Sequence, residues 1–428
     1  MLEAAAIALL WSMVLSLVLV ANAGALPRVL LNGDQKLNTS FTITQAKSPN
    51  WTPQRVPITA IYAAPFIKHK MRMPKKLRDA VAELDSNETS GIHHRANGQT
   101  ADGTNGLYTF PVKIGTPPQT LRILFDTGSG DFWVWSWLMP GTLTAGRNIY
   151  NGSNSTSSGR WDGQSFNINY QQGNAYGLVW QDTVVLEGDG GQLGVAGNPI
   201  ECAQNIGGTH LPALTGIDGM LGLNMWVNDS ESPNPQQTWF NFILPKLSAP
   251  LFTANFVRNG VGTIDFGFIN PTKYTGSIAY TPVVPLNGWP QSGYWLFNWS
   301  GFAIGTRNFN STELQVLTDS GCNIVLLPQS ISHNYYSRVQ GAFQQSNGFW
   351  AFPCAATLPS FTFGVGSTRI VMGAKHMIYI ALDDGINCLG AIQDTAENSY
   401  AIIGSPWFEG LFVVHDYGGN RIGFAARP

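Results

Sequence analysis

Phe125-Asp126-Thr127-Gly128-Ser129 closes an apolar run, Leu121–Phe125, and sets an acid at a tight turn. The same figure returns once, where Leu314–Leu317 runs into Thr318-Asp319-Ser320-Gly321. Each acid is followed at long range by two apolar residues and a glycine. Met220-Leu221-Gly222 begins 94 residues after Asp126, and Ile402-Ile403-Gly404 begins 83 residues after Asp319. Two halves built alike, each with one acid at a strand end, imply a duplicated β fold. The texture from Leu107 onward agrees: short β-rich runs such as Tyr108–Ile114 alternate with turns such as Gly115-Thr116-Pro117-Pro118. The 47 Gly and 25 Pro in 428 residues suit many short strands joined by tight turns. Helices are expected only near Trp239–Leu244 and Ser330–Val339, and residues 24–106 show little periodicity.

Two carboxylates held about 3 Å apart cannot both ionise, so one pKa falls and the other rises. The ionised member can take a proton from water while the protonated member donates to a carbonyl. Such a pair hydrolyses peptides without a metal or a protein nucleophile. Each acid needs a turn that aims it, a glycine close behind so that backbone can approach, and a hydroxyl that fixes the carboxylate. Phe125-Asp126-Thr127-Gly128-Ser129 and Thr318-Asp319-Ser320-Gly321 both fit, with Ser320 the nearby hydroxyl of the second. The plainer alternative makes both aspartates turn caps. His210, His333, His376 and His415 show no triad or ligand spacing, so no metal and no cofactor is expected.

The chain is long enough for one large core or two moderate ones, being 44% hydrophobic and only 12% charged. Its net charge of −2 conceals an asymmetry: residues 1–95 carry +5 and residues 96–428 carry −7. A basic front on an acidic body suggests a leader seated electrostatically, the other reading being an incidental solvated charge run. Nothing basic in the body invites nucleic acid. Ala4 to Val20 is an apolar run of 17 residues, and Ala21-Asn22-Ala23 has the small-x-small form of a signal cleavage site. Glu3 and the absence of Lys or Arg before the run leave an uncleaved anchor as the other reading. Secretion is the expectation, ahead of a vacuolar or cell-surface location, with no stable membrane association. Asn-x-Ser/Thr sequons stand at Asn38, Asn50, Asn87, Asn151, Asn154, Asn228, Asn298 and Asn310. The last five are glycosylation candidates on the body. Of the four cysteines, Cys354 and Cys388 could close a moderate loop, and Cys202 and Cys322 look unpaired.

Residues 107–428 resemble the pepsin family of aspartic proteases across essentially their whole length. Asp126 to Val134, including Trp133, is similar to the family's first active-site loop. Asn169 to Gly177, with Tyr170, resembles the β-hairpin flap, and Asp218 to Leu223 resembles the segment closing the N-lobe. Tyr294-Trp295 precedes the second active-site strand at the family's spacing, and Val413 to Ala425 resembles its terminal strands. The resemblance implies an all-β, bilobal fold, two pseudo-twofold-related β-lobes with the cleft between them. It implies a catalytic dyad of Asp126 and Asp319, with Ser129 donating to Asp126 and Tyr170 closing on substrate and hydrogen-bonding Trp133. It also implies a Cys354–Cys388 disulfide and structural roles for Asp218 and Asp416.

The organisation expected on these grounds is a signal peptide (1–23), a propeptide (24–106, its end between 95 and 107), an N-lobe with the flap (107–250) and a C-lobe (251–428). The propeptide would act as an intramolecular inhibitor, its basic residues lying over the dyad, with Lys68 to Arg78 the candidate stretch. The expected activity is endopeptidase action on proteins or peptides at acid pH, favouring large apolar residues around the cut, by a monomer. Two positions depart from the family pattern. Cys322 stands where Ser or Thr is usual, so Asp319 loses a hydroxyl partner, and Gln171-Gln172 replaces the commoner flap residues. Cys322 also supports the rival expectation, a catalytically silent homologue that binds protein or cell-wall glycan.

Overall fold

The computed structural model describes residues 39–45, 55–89, 100–102, 107–144, 147–170, 173–189, 191–208, 217–225, 230–258, 260–287, 293–396 and 400–428. The signal-peptide reading, Gln171-Gln172 and the sequon at Asn228 lie outside these residues. So does the side chain of Tyr170, whose backbone ends the strand Gly159–Tyr170.

Strands dominate, and the alternation around the first aspartate explains why. Phe110, Val112 and Ile114 of Thr109–Ile114 point inward while their neighbours are half-exposed. Gly115, at φ +87°, makes the turn that only glycine adopts easily, and Gln119–Asp126 returns antiparallel with Phe110 opposite Ile123. Eight strands form the N-lobe sheet, in the order 231–232, 159–170, 173–188, 109–114, 119–126, 219–222, 132–135, 191–208. The C-lobe holds sheets of five, three and four strands. A six-stranded sheet joins Leu251–Asn255 to the terminal hairpin Leu411–Asp416 and Arg421–Ala426.

The internal repeat is present as geometry. In the N-lobe, Gly219–Gly222 lies parallel to the first aspartate strand, with Leu221 opposite Phe125 and Gly222 opposite Asp126. In the C-lobe, Ala401–Ile403 lies parallel to Leu314–Thr318, with Leu317 opposite Ile402 and Thr318 opposite Ile403. Each apolar-apolar-Gly stretch therefore flanks an aspartate strand. The Cys354–Cys388 disulfide is formed, with a Cα–Cα distance of 5.0 Å, and Cys202 and Cys322 are buried and free.

Both helices expected in the body exist, as Trp239–Ile243 and Gln329–Tyr336. Restricting helices to those places was wrong. The N-terminal segment carries Ile58–Lys68 and Lys75–Thr89. Ile58–Lys68 is apolar on nearly every face and contains Pro65, so it has neither an amphipathic period nor an uninterrupted pattern. It is helical because it is buried. Tyr62, Phe66, Ile67, Met71, Leu77 and Val81 share one hydrophobic cluster with body residues Leu317, Ile324 and Phe349. Each such side chain contributes about 1.5–3 kcal/mol on burial. A second contact is the edge strand Phe41–Thr44, which pairs antiparallel with Thr263–Phe266. Among the described residues no helix is long and apolar enough to cross a membrane.

Candidate active site

Asp126 ends its strand, Asp319 directly follows the equivalent one, and the two meet at the junction of the two lobes, both fully buried. The loops that carry them interlock. Thr127 Oγ1 donates to Thr318 O at 2.8 Å and accepts from Ser320 N at 2.9 Å. Ser320 Oγ donates to Phe125 O at 2.6 Å and accepts from Thr127 N at 3.0 Å. Four reciprocal bonds thus fix one aspartate loop against the other.

The glycines after the acids permit the approach. A Cβ on Gly128 would fall 2.5 Å from Asp319 Oδ1, and one on Gly321 would fall 2.5 Å from Asp126 Oδ1. Each inner carboxylate oxygen accepts a backbone N–H from its own loop. Gly128 N is 2.9 Å from Asp126 Oδ1, and Gly321 N is 2.9 Å from Asp319 Oδ1. Ser129 Oγ donates to the outer oxygen of Asp126, as the resemblance implied. Cys322, its counterpart, turns its thiol to Ile324 O at 3.1 Å instead.

The N-terminal segment supplies the remaining donors. Lys68, last residue of the helix Ile58–Lys68, sets Nζ 2.6 Å from Asp126 Oδ1 and 2.7 Å from Asp319 Oδ1. His69 follows, its Nε2 2.7 Å from Asp319 Oδ2. Sequence reasoning narrowed the base over the aspartates only to Lys68–Arg78 and did not single out His69. Its one sequence signal was its place beside Lys68 in the basic stretch.

Electrostatics separate the two acids. Burial pushes Asp126 up, Lys68 opposes that, and the neighbouring Asp319 pushes it further up. Burial would also raise Asp319, but the Lys68 charge and the His69 hydrogen bond together bring it below the usual carboxylate range. Lys68 loses solvation on burial, yet the two carboxylates overcome this and raise its pKa.

The other singled-out residues support this centre. Trp133 is packed in the core edge-on to Trp135, and its Nε1 has no hydrogen-bond partner among the described residues. Asp218 accepts from Arg122 Nη2 at 2.8 Å and from Asn148 Nδ2 at 3.0 Å. Asp416 accepts from Arg421 Nε at 2.7 Å. Both acids brace their own lobes. Trp295 Nε1 donates to Leu223 O at 2.8 Å, tying the second aspartate's neighbourhood to the N-lobe.

Residues 107–427 match the family model described as eukaryotic aspartyl protease. The chain is 35% identical to endothiapepsin of Cryphonectria parasitica over 398 residues, covering 90% of each chain. It is 32% identical to podosporapepsin of Podospora anserina, over 90% of this chain and 91% of that one. Against aspergillopepsin-1 of Aspergillus oryzae the identity is 33% over 392 residues, with the same coverage. Likeness of that extent, joined to paired aspartate loops in a bilobal β fold, means that the chain belongs to the eukaryotic aspartyl protease family, whose members are aspartic-type endopeptidases.

Proposed function

We propose that this chain is the precursor of a secreted endopeptidase that works at acid pH through Asp126 and Asp319, and that residues 24–106 hold the pair shut until they are removed. The observation that carries this reading is Lys68, one ammonium shared between the inner oxygens of both acids. An attacking water has to stand at those oxygens. With Lys68 gone, the two carboxylates share a proton and titrate as a pair. The ionised member takes a proton from water, whose oxygen attacks the scissile carbonyl. The protonated member donates to the carbonyl oxygen. The proton taken from water then goes to the leaving amine as the C–N bond breaks. Ser129 and the N–H groups of Gly128 and Gly321 hold the carboxylates in place, and no cofactor enters.

Acid pH suits this chemistry twice over, since it keeps one proton on the pair and weakens the hold of a cationic leader. A preference for large apolar residues is supported by the surface beneath the segment. Tyr62 there packs edge-on against Phe349 at 5.1 Å and donates to Asp394 O at 2.9 Å. Once the leader leaves, substrate side chains would meet that wall. The flap role of Tyr170, entry to the secretory route through residues 1–23, and a monomeric body divided near residue 250 belong to the same reading. Asn154, Asn298 and Asn310 are exposed and Asn151 is half-buried, so all four suit glycan attachment.

Replacing Asp126 or Asp319 with Asn tests the reading, because the pair then lacks either its acid or its base. Turnover of an acid-denatured protein should fall by at least about 10²–10⁴-fold. Substantial activity in either purified variant would overturn the dyad, and an inactive wild type would favour the silent-homologue alternative.

A further inference from the structure

We propose that His69 is the donor that completes Asp319 in the precursor, filling an acceptor position left open because residue 322 is a cysteine, and that this contact governs how fast the segment lets go. The inference rests on the reading of residues 24–106 as an inhibitory leader and concerns its regulation.

Positions 129 and 322 are equivalent, each three residues beyond its aspartate. The Ser129 hydroxyl donates to the outer oxygen of Asp126. The Cys322 thiol points to Ile324 O, so the body offers the outer oxygen of Asp319 no matching donor from that position. A thiol is a weak donor in any case. His69 Nε2 takes the place at 2.7 Å. An ionised Asp319 only accepts, so Nε2 carries the hydrogen.

The imidazole is built in. Its side chain is fully buried, edge-on to Tyr294 at 5.5 Å and to Tyr400 at 6.4 Å. Tyr294 Oη lies 3.5 Å from Nδ1. Around the ring the titratable groups are Asp319, Asp126, Lys68, Tyr294 and Tyr400. Backbone geometry accounts for two consecutive side chains reaching the same acids. The helix ends with His69 N bonded to Pro65 O at 3.0 Å, and Lys70 at φ +51° then turns the chain away. Lys68 bridges both inner oxygens and cannot tell one aspartate from the other. His69 addresses Asp319 alone. A bond from an N–H to a buried carboxylate is among the stronger hydrogen bonds in proteins, and release has to break it.

The test uses the full-length precursor as wild type, His69→Phe, His69→Gln, Cys322→Thr and the double variant His69→Phe/Cys322→Thr. Each is moved from neutral to one fixed acid pH. Release is read as loss of hydrogen-exchange protection over residues 58–68, which requires no cleavage. His69→Phe should release at least about tenfold faster, and His69→Gln, which keeps an N–H, should stay near wild type. Cys322→Thr should also release faster, because its hydroxyl competes for the same oxygen. In the double variant the effects should not multiply, since both act on one bond. Release of His69→Phe at the wild-type rate, or effects that multiply, would overturn the proposal. If His69→Phe does not accumulate, release of Cys322→Thr at the wild-type rate overturns it instead. Failure of the underlying reading looks different: protection over 58–68 is then lost in no precursor, or its loss is never followed by proteolytic activity.

Discussion

The hydroxyl of Thr127 donates to the carbonyl of Thr318, one strand end gripping the other from across the lobes. The same hydroxyl accepts from Ser320 N, so two buried backbone groups depend on it. Thr127→Val keeps the shape and removes the oxygen. Leaving each backbone group unpaired costs about 1–3 kcal/mol. Unfolding in denaturant should show a loss of roughly that size, while Thr127→Ser stays near wild type. Equal stability of the Val variant would mean that the interlock carries no energy.

Lys68 predicts the direction in which pH moves the N-terminal segment. Docked, the pair faces a cation, and Asp319 is held below its usual range. A group whose pKa is lowered by docking favours the docked form above its free value, and that advantage is lost as pH falls toward the docked value. Protection of residues 58–68 should therefore decline on acidification. Lys68→Met removes the cation, so it should weaken docking at neutral pH and flatten the pH dependence. A Met variant with the wild-type pH profile would show that Lys68 is not the sensor.

Much of this centre could be read in advance because its chemistry is local in sequence. An acid, a glycine and a hydroxyl within four residues announce a carboxylate site, and the second copy removes most of the ambiguity. What could not be read is what depends on placement. Lys68 is one of six Lys and Arg between residues 68 and 78. Only its place at the end of a buried helix separates it from Lys70, Arg72, Lys75, Lys76 and Arg78, which are exposed. That helix was hidden in turn, because burial on nearly every face erases the periodicity by which helices are recognised. The reciprocal Thr127–Ser320 grip involves residues 193 apart, and neither predicts the other. Cys322 was visible as a departure, but the direction of its thiol was not.

The Cys354–Cys388 bridge closes a separation of 34 residues in the C-lobe. In the chain-entropy account such a crosslink contributes about 4 kcal/mol. A Cys354→Ala/Cys388→Ala pair should lose up to that amount, and Cys202→Ala should not lose a crosslink's worth. Calorimetry of the three proteins checks the difference. A double variant as stable as wild type would show the bridge to be dispensable.

His415 predicts a limit to acid tolerance. It lies on Leu411–Asp416, stacked on Phe252 at 4.5 Å with Trp295 edge-on at 5.0 Å. Nε2 is 3.2 Å from Thr318 Oγ1, which itself reaches Trp295 O at 3.2 Å, and Nδ1 has no partner among the described residues. Charged groups along the packed elements include Asp319, one residue past Thr318, and Asp416, already paired with Arg421. Neither compensates a proton on this ring, and burial pushes its pKa down to about 3. Unfolded, a histidine titrates near about 6.5. Between those values the unfolded chain binds a proton that the folded chain refuses, so stability falls as pH falls, by about 1.4 kcal/mol per pH unit. Above the window the histidine is neutral in both states and contributes no slope. His415→Phe keeps a flat ring and has nothing to protonate. Compared by denaturant unfolding, the Phe variant should gain on wild type steadily as pH drops through the window. A constant difference between neutral and acid pH would show that His415 takes its proton without cost and sets no limit.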